Sequence, residues 1–456
     1  MHRYQAGDGD RRTMLQAIGA ASVEELFATI PAALRSGPLD LPPARSEEEV
    51  RREFWAYATA NAAPECFASF LGAGVYRHVT PAVADALIQR GEFFTAYTPY
   101  QPEVSQGTLQ AIFEFQTFVC QLTEMDLANA SLYDGATAVV EAVLMAARVH
   151  PGRSRVVVAA TLHPETRAVL ETYAEPLGLS VTEVGADASG RIDAAALGAA
   201  LGADVCAAVV QSPNVLGVVE DLPALGAAIK ASGALVVHAV MEATSLGVLA
   251  PGGRFGYDVV CGELQAFGIP PQFGGPHLGF FATRQAYLRQ LPGRIVGETV
   301  DSEGARAFVL TLSTREQHIR RAKATSNICT NHGLMALFAT ITLSLLGKKG
   351  IREMALASHA TAEYLKTGIR GQGSGDRAKT GGVRLAFPGS PTYNEFLVLH
   401  DDPDGLLLKL KREGILGGVA TARLGSGLPK GILVAATEKN TKEECDRLLD
   451  ALRRLA

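Results

Sequence analysis

Lysine is scarce over most of this 456-residue chain. None occurs before Lys230, and none lies between Lys230 and Lys323. An enzyme that holds an aldehyde as a Schiff base needs a lysine amine to do so. Before residue 348 the chain therefore offers only these two positions for such chemistry.

Other absences exclude further classes of protein. The six cysteines are scattered, with no Cys-x-x-Cys pair, so no metal site or disulfide framework is predicted and buried, reduced thiols are expected. A net charge of −5 gives no reason to expect binding to nucleic acid or to an anionic membrane. The longest apolar runs fall short of the roughly 20 residues that cross a membrane. Because the N-terminus has no apolar signal core, we expect a cytoplasmic protein.

What is present suggests a large soluble enzyme. From about residue 105 to 290, helical segments alternate with short, continuously apolar strands, which predicts a mainly parallel sheet covered on both faces. We expect an N-terminal helical arm over 1–95, a large α/β domain over 96–345 and a small C-terminal α+β domain over 346–456. This organisation resembles the fold-type I pyridoxal-phosphate enzymes, whose fold is that of aspartate aminotransferase.

Four stretches carry a more specific resemblance. They are LFATIPAALRSGPLDLPPARSEEEV, EFFTAYTPYQPEVSQGTLQAIFEFQT, ANASLYDGATA and STREQHIRRAKATSNICT. They resemble the P-protein of the glycine cleavage system, in the form of its first subunit where that protein is split in two. The resemblance runs over essentially the whole chain.

The resemblance implies an activity and partners. It implies glycine decarboxylation on pyridoxal phosphate, followed by transfer of the aminomethyl group to a lipoyl arm carried by a small H-protein. In such chemistry the cofactor is the electron sink, and the protein binds and orients it. A second P-protein subunit is implied as partner, in a heterodimer or heterotetramer.

The lysine that the chemistry needs is missing where the resemblance places it. The position that matches the lysine of second-subunit sequences holds Gln265, and no lysine occurs between Asp258 and Thr283. An amide forms no imine, so we expect the partner subunit, and not this chain, to bind pyridoxal phosphate covalently. The alternative is a purely structural role, in which Gln265 hydrogen-bonds the backbone of its own loop.

The remaining cofactor contacts also depart from the pattern of the fold. Where an aspartate should face the pyridine nitrogen, the strand carries His238, and the nearest acid is Glu242. We interpret His238 as a core histidine. His163 lies where these enzymes stack an imidazole on the ring, and we interpret it as vestigial.

The expected phosphate cradle is the turn that leads into the helix at SLYDGATAVVEA. Asp134 precedes Gly135 there, and its carboxylate would cap the same backbone donors that bind phosphate. We interpret Asp134 as an internal replacement for the phosphate. Asp134, Gly135, His163, His238, Glu242 and Gln265 are together predicted to form a vestigial cofactor pocket.

The aromatic loop, residues 93–107, is a candidate for lining the partner's active site. Tyr97, Thr98, Tyr100 and Gln101 offer hydroxyl and amide groups to a neighbouring chain. Equally, the tyrosines and prolines can stiffen an interface loop without touching substrate, since aromatic residues are enriched at interfaces.

The basic turn, residues 315–327, is the second candidate. Its positive side chains are predicted to form ion pairs at the interface: Arg315, His318, Arg320 and Arg321. Thr325, Ser326 and Asn327 are predicted to reach the partner's cofactor, and His277 to approach the partner from the Gly274–Pro276 turn. The alternative for such a charge run is a solvated helix face.

Three hypotheses follow. In the leading one, this chain completes the active site of a lysine-bearing second subunit. In the first rival, the chain is a self-sufficient enzyme that uses Lys323 or Lys230. In the second, it is a scaffold that binds a partner without lining its site.

Overall fold

The computed structural model describes residues 6–37, 39–63, 66–95, 97, 99, 101–272, 274–371, 382–425 and 427–456. The chain forms two compact units, Met1–Ala62 and Ala63–Ala456. Residues 63–95, which the sequence assigned to the arm, belong to the second unit. The boundaries at residues 95 and 345 stay a prediction.

The first unit contains helices α1 (Asp8–Ile18) and α2 (Glu47–Ala60). The start of α2 is fixed by a capping box: the Ser46 side chain accepts from the Glu49 backbone, and the Glu49 carboxylate accepts from the Ser46 backbone. Such reciprocal bonds satisfy two of the backbone donors that a helix start leaves free.

A seven-stranded sheet forms the centre of the second unit. Its spatial order is β2 (Leu127–Ala128), β8 (Gly279–Thr283), β7 (Val259–Glu263), β6 (Leu235–Val240), β5 (Val205–Gln211), β3 (Arg155–Ala159) and β4 (Ser180–Val184). β8 runs opposite to the other six strands of this sheet, which all share one direction. The inner strands of the sheet, β5, β6 and β7, are buried on both faces, as expected for a parallel sheet covered by helices. The predicted fold class is confirmed.

Helices cover the two faces of this sheet. Those of the second unit up to the basic turn are α3 (Ala82–Ile88), α4 (Gln106–Thr123), α5 (Gly135–Val149), α6 (Pro164–Ala174), α7 (Ala194–Ala200), α8 (Leu222–Ala231) and α9 (Gln317–Arg320). α5 packs in one core cluster with β3, β5 and β6. α4 packs in another with the long helix α10 (Gly333–Gly371).

By length and composition, residues 333–370 would suffice to cross a membrane. However, Met335, Phe338 and Leu343 lie in the core beside β7 and β8, and the helix is broken at Gly347, where φ is 56° and ψ is −177°. The burial of these side chains is that of a core helix in a globular protein.

The C-terminal part forms a small α+β layer. An antiparallel sheet has the order β11 (Arg384–Leu385), β12 (Glu395–Leu399), β15 (Gly431–Ala435) and β14 (Val419–Ala420). It packs with α10, α11 (Pro403–Arg412) and α12 (Lys442–Leu455). The first strand of the unit, β1 (Ala68–Ser69), pairs in parallel with β13 (Ile415–Leu416).

Two details differ from the sequence expectations. A hairpin of β9 (Ile295–Val300) and β10 (Arg306–Thr311) was not predicted. The six cysteines are free, and Cys66 and Cys329 are exposed, so burial of every thiol was a wrong expectation. Both lie in connecting segments, which run over the surface of a domain.

Candidate functional site

The candidate site lies at one edge of the seven-stranded sheet. β3, β5, β6 and β7 run parallel, so their carboxyl ends meet there, as ligand sites of such sheets do. β2 runs parallel to β7, because both are antiparallel to β8, and it therefore brings the start of α5 to the same edge. We call this the carboxyl edge.

Gln265 follows β7 at the carboxyl edge and is 2% exposed. Its side-chain amide donates to the backbone carbonyl of Ile269, and its backbone N–H donates to Glu263 at 2.9 Å. The amide is therefore held by its own loop, which is the structural role that the sequence left open as the alternative.

Two carboxylates occupy the start of α5. Asp134 accepts from the backbone N–H of Thr137 at 2.7 Å. Glu263 accepts from the backbone N–H of Gly135 at 3.0 Å. A helix start binds anions through these free donors and through the helix dipole. Here the chain's own carboxylates accept from both of those donors.

Glu263 is the residue that the sequence analysis missed. It is 4% exposed, and its second oxygen accepts from the backbone N–H groups of Gln265 at 2.9 Å and Leu278 at 2.8 Å. A Cβ added to Gly135 would lie 2.9 Å from the Glu263 Cβ, so glycine is required there by close packing. The one signal in the sequence is an acid that ends an otherwise apolar strand.

His163 lies in the connection from β3 to α6, immediately before α6, and is 5% exposed. Its Nε2 lies 2.9 Å from the carbonyl oxygen of Ala73. A Cβ on Gly74 would approach the same nitrogen to 3.0 Å. The Nε2 of His163 is therefore hydrogen-bonded within this chain.

The segment around Ala73 is anchored to the C-terminal sheet. Glu395, at the start of β12, accepts from the Ala73 backbone at 2.7 Å and from the Tyr76 hydroxyl at 2.9 Å. Burial raises the pKa of Glu395 to about 7, although these hydrogen bonds oppose the shift. The two donors hold residues 73–76 against β12.

Glu242 follows β6 and is 3% exposed. One oxygen accepts from the Thr244 backbone at 2.9 Å, and the other lies 3.3 Å from His78 Nε2. His78 Nδ1 lies 2.7 Å from Glu438. Burial alone would lower the pKa of His78, but the two carboxylates overcome it and raise that pKa to about 10. The buried imidazolium of His78 thus forms an ion pair with Glu242.

His238 has no free ring nitrogen. Nε2 lies 3.2 Å from the Ser212 carbonyl oxygen, and Nδ1 accepts from the Gly252 backbone at 3.1 Å. Burial lowers the pKa of His238 to about 4, against the opposing bond to Ser212. His238 is therefore a neutral core histidine, as the sequence analysis interpreted it.

These residues do not fit a covalently bound pyridoxal phosphate. Gln265 provides no amine for a Schiff base. Asp134 and Glu263 accept hydrogen bonds from backbone N–H groups at the start of α5, where a phosphate would bind. The carboxylate of Glu242 is already paired with His78. A phosphate beside Glu263 would meet a like charge in a buried position, which is costly.

His277 lies beside this edge. Its Nδ1 is 3.4 Å from Glu263, and the nearby carboxylate raises the pKa of His277. Gly274 and Gly275 have φ values of 74° and 121°, which the turn needs and glycine permits. The expected approach of His277 to a partner subunit stays a prediction.

The aromatic loop is partly described. Tyr97 is 65% exposed, and Gln101 is exposed ahead of a short 3₁₀ turn. Thr98 and Tyr100, also predicted to line the partner's site, lie outside the described residues.

Arg315 differs from the expectation of an interface ion pair. Its guanidinium donates to the backbone carbonyls of Leu291, Leu312 and Gly293 in its own chain. The neighbouring Glu316 pairs with Arg294 at 2.8 Å. The prediction for Arg315 is therefore wrong, because unpaired loop carbonyls, which the sequence does not reveal, take its donors.

The three polar residues at the end of the basic turn, Thr325, Ser326 and Asn327, differ in burial and in hydrogen-bond partners. Ser326 donates to the buried Glu141 at 2.7 Å and is thus directed inward. Asn327 is exposed and lies 3.3 Å from the Tyr173 hydroxyl. Thr325 is half-buried, with its backbone N–H 3.0 Å from the Arg315 carbonyl.

The two lysines of the rival hypothesis lie elsewhere. Lys323 is exposed in the basic turn, together with His318, Arg320 and Arg321. Lys230 is exposed near the end of α8, beside Gly256. Neither belongs to the hydrogen-bonded network at the carboxyl edge.

The fold, a mainly parallel seven-stranded sheet covered by helices, is that of the fold-type I pyridoxal-phosphate enzymes. Residues 2–452 match the glycine cleavage system P-protein family. The chain belongs to that family.

Relatives and solved structures agree with this assignment. The chain is 47% identical over 455 residues to the probable glycine dehydrogenase (decarboxylating) subunit 1 of Geobacillus thermodenitrificans, covering 99% of both. It is 50% identical over 448 residues to the protein of that name from Anaeromyxobacter dehalogenans, covering 97% of this chain and 98% of the other.

A crystal structure of glycine decarboxylase (P-protein) of the glycine cleavage system, in inhibitor-bound form, superposes with a TM-score of 0.88 at 43% identity, covering 100% of both chains. A sphingosine-1-phosphate lyase from Burkholderia pseudomallei, at 16% identity and a TM-score of 0.66 over 93% of this chain and 94% of the other, shares the fold alone.

Proposed function

We propose that this chain is the first subunit of a glycine decarboxylase, the subunit without the Schiff-base lysine. Its relatives over the full length are named as subunit 1 of that enzyme. The observation that carries the proposal is the closed carboxyl edge: Gln265 replaces the lysine, and Glu263 with Asp134 occupies the anion site. A second P-protein subunit holds pyridoxal phosphate covalently, in a heterodimer or heterotetramer in the cytoplasm.

In this proposal the chain shapes the partner's site. Pyridoxal phosphate, when bound by the partner, supplies the electron sink for decarboxylation. Tyr97, Gln101, Thr325 and Asn327 orient substrate and exclude water there, and the aminomethyl group passes to the lipoyl arm of an H-protein. Thr98, Tyr100 and His277 complete this set.

The test is exchange of the glycine carboxyl with labelled bicarbonate. We expect no exchange from the pure chain, even with added pyridoxal phosphate, and exchange once the lysine-bearing subunit is added. Borohydride reduction should fix no cofactor on this chain. Exchange by the chain alone, or a reduced cofactor mapped to Lys323, would make it a self-sufficient enzyme and contradict the proposal.

A single variant separates this role from a scaffold. Tyr97→Phe removes one exposed hydroxyl, and loss of one hydrogen bond in the transition state slows turnover about tenfold. Assembly, measured by light scattering, should not change. Tyr364→Phe is the matched control, because Tyr364 is also exposed but lies on α10 and donates to Asp446. Full turnover by Tyr97→Phe would favour a loop that only stiffens the interface.

A further inference from the structure

A cleft of about 430 Å³ lies away from the carboxyl edge. It is bounded by the C-terminal half of α4, by residues 246–251 and by α10 around Gly347. Its volume falls within the range of small-molecule sites, which is about 300–1,000 Å³. None of the residues predicted for the cofactor pocket or the partner's site lines it.

The walls of this cleft are mainly apolar. The larger hydrophobic side chains in them are seven: Phe118, Leu122, Leu246, Val248, Leu249, Leu343 and Ile351. Of these only Leu343 is buried, and the others are half-buried. The cleft therefore keeps hydrophobic surface in contact with water, which a matching apolar ligand would remove.

Three cations line the same cleft: Lys348, Arg352 and Arg254. Lys348 and Arg352 are four residues apart on α10, so they lie on one face of the helix within about 6 Å. Across the part of the chain that the structure describes, neither side chain has a carboxylate or hydrogen-bond partner. By contrast, Arg254 at the rim is neutralised by Glu124 at 3.1 Å.

The break in α10 exposes this pair. Gly347 also lines the cleft, and its φ of 56° with ψ of −177° interrupts the helix immediately before Lys348. A Cβ there would meet nothing within 4 Å. Glycine is thus needed for the backbone conformation and not for close packing.

We propose that this cleft binds a small amphiphilic anion. A carboxylate head would lie between Lys348 and Arg352, and a hydrocarbon chain would lie along the Leu246 and Ile351 wall. The site is independent of the proposed function, because it shares no residue with it. The unpaired positive charge selects an anion, and the half-buried side chains select an apolar body.

The probe is octanoate, titrated calorimetrically into the full-length chain. We expect saturable binding that weakens more than tenfold for butyrate, which buries four fewer methylenes, and no saturable binding of octylammonium. Removing both cations, with Lys348→Gln and Arg352→Gln together, should weaken octanoate at least tenfold. Both residues are exposed, so folding should be intact by circular dichroism.

Lys349→Gln is the matched control. Lys349 neighbours the pair but lies 3.6 Å from Glu353 and does not line the cleft. It should leave octanoate affinity unchanged. The proposal fails if octanoate does not saturate, if octylammonium binds equally well, if butyrate matches octanoate, or if the double variant keeps its affinity.

Discussion

At the carboxyl edge of the large sheet the polar groups bond to one another, whereas in the basic turn several are left facing solvent. Glu263 alone accepts three backbone N–H bonds, and His78 lies between two carboxylates. In the basic turn, Arg321 and Lys323 are exposed, and their side chains have no hydrogen bond or ion pair among the described residues.

The carboxyl edge thus stabilises the fold of this chain, whereas the basic turn is the region that we propose to contact a second chain. A buried polar group without a partner is expensive, so an edge that holds no cofactor, as we propose for this chain, must be satisfied internally. An exposed cluster of cations contributes little to stability. We therefore propose that these cations contact a partner subunit.

The largest effect is expected at Glu263. Glu263→Ala leaves the N–H groups of Gly135, Gln265 and Leu278 without their acceptor in a buried position. We expect the free energy of unfolding to fall by about 4 kcal/mol, since each lost bond costs about 1–3 kcal/mol. Urea titration followed by circular dichroism measures it.

Asp134→Ala provides the comparison. It removes one helix cap, to Thr137, and should cost about 1 kcal/mol. Glu298→Ala, which removes an exposed partner of Arg306, should cost less than about 1 kcal/mol. Equal costs for Glu263→Ala and Glu298→Ala would show that the carboxyl edge is not held by Glu263.

The next effect is a dependence of stability on pH. The folded pKa of His78, about 10, lies above the ordinary value of 6.5. The folded state therefore binds more protons than the unfolded state between these values, and this part of the stability is present below pH 6.5 and lost as pH rises toward 10. We expect a loss on the order of 3 kcal/mol between pH 7 and 10.

His78→Gln should abolish most of that slope. His318→Gln is the control. His318 is exposed, and its closest approach to a carboxylate is the long 3.6 Å distance between its Nδ1 and Glu316. The measurement is urea unfolding at pH 7, 8, 9 and 10 for each protein. If His78→Gln and wild type lose stability in parallel, the imidazolium bridge is not the cause.

Much of the fold was predictable from the sequence. Continuous apolar runs such as RVVVAA and VCAAVVQ predicted buried strands, and β3 and β5 occupy them. The hairpin of β9 and β10 was missed because its segments, IVGETV and RAFVLT, are neither continuously apolar nor strictly alternating. A short segment with neither pattern gives a weak strand signal.

The site was only half predictable. Gln265, Asp134 and His163 were identified because each follows a recognisable strand or precedes a helix. His78 was not, since its partners Glu242 and Glu438 are 164 and 360 residues away in sequence. Bonds between such distant residues depend on the tertiary fold, and no local pattern encodes them.

The smallest effect is expected in the basic turn. Arg321 has φ 53° and ψ −124°, a conformation that non-glycine residues rarely adopt and that costs about 1–3 kcal/mol. Arg321→Gly should relieve this strain. Glycine also gives the unfolded chain more conformational freedom, which lowers the stability of the folded state by about 0.5–1 kcal/mol. The net expectation is a gain of about 1 kcal/mol in the isolated chain.

Arg320→Gly is the matched control for this substitution. Arg320 has φ −90° and ψ −13°, which any residue adopts, so glycine should there cost about 0.5–1 kcal/mol. A strained, exposed cation that can be replaced with a gain in stability is not kept for folding. If Arg321→Gly also slows glycine–bicarbonate exchange by the assembled enzyme, the basic turn acts on the partner. If Arg321→Gly destabilises the isolated chain as Arg320→Gly does, the strain is absent and the contrast between the two regions is weaker than the structure indicates.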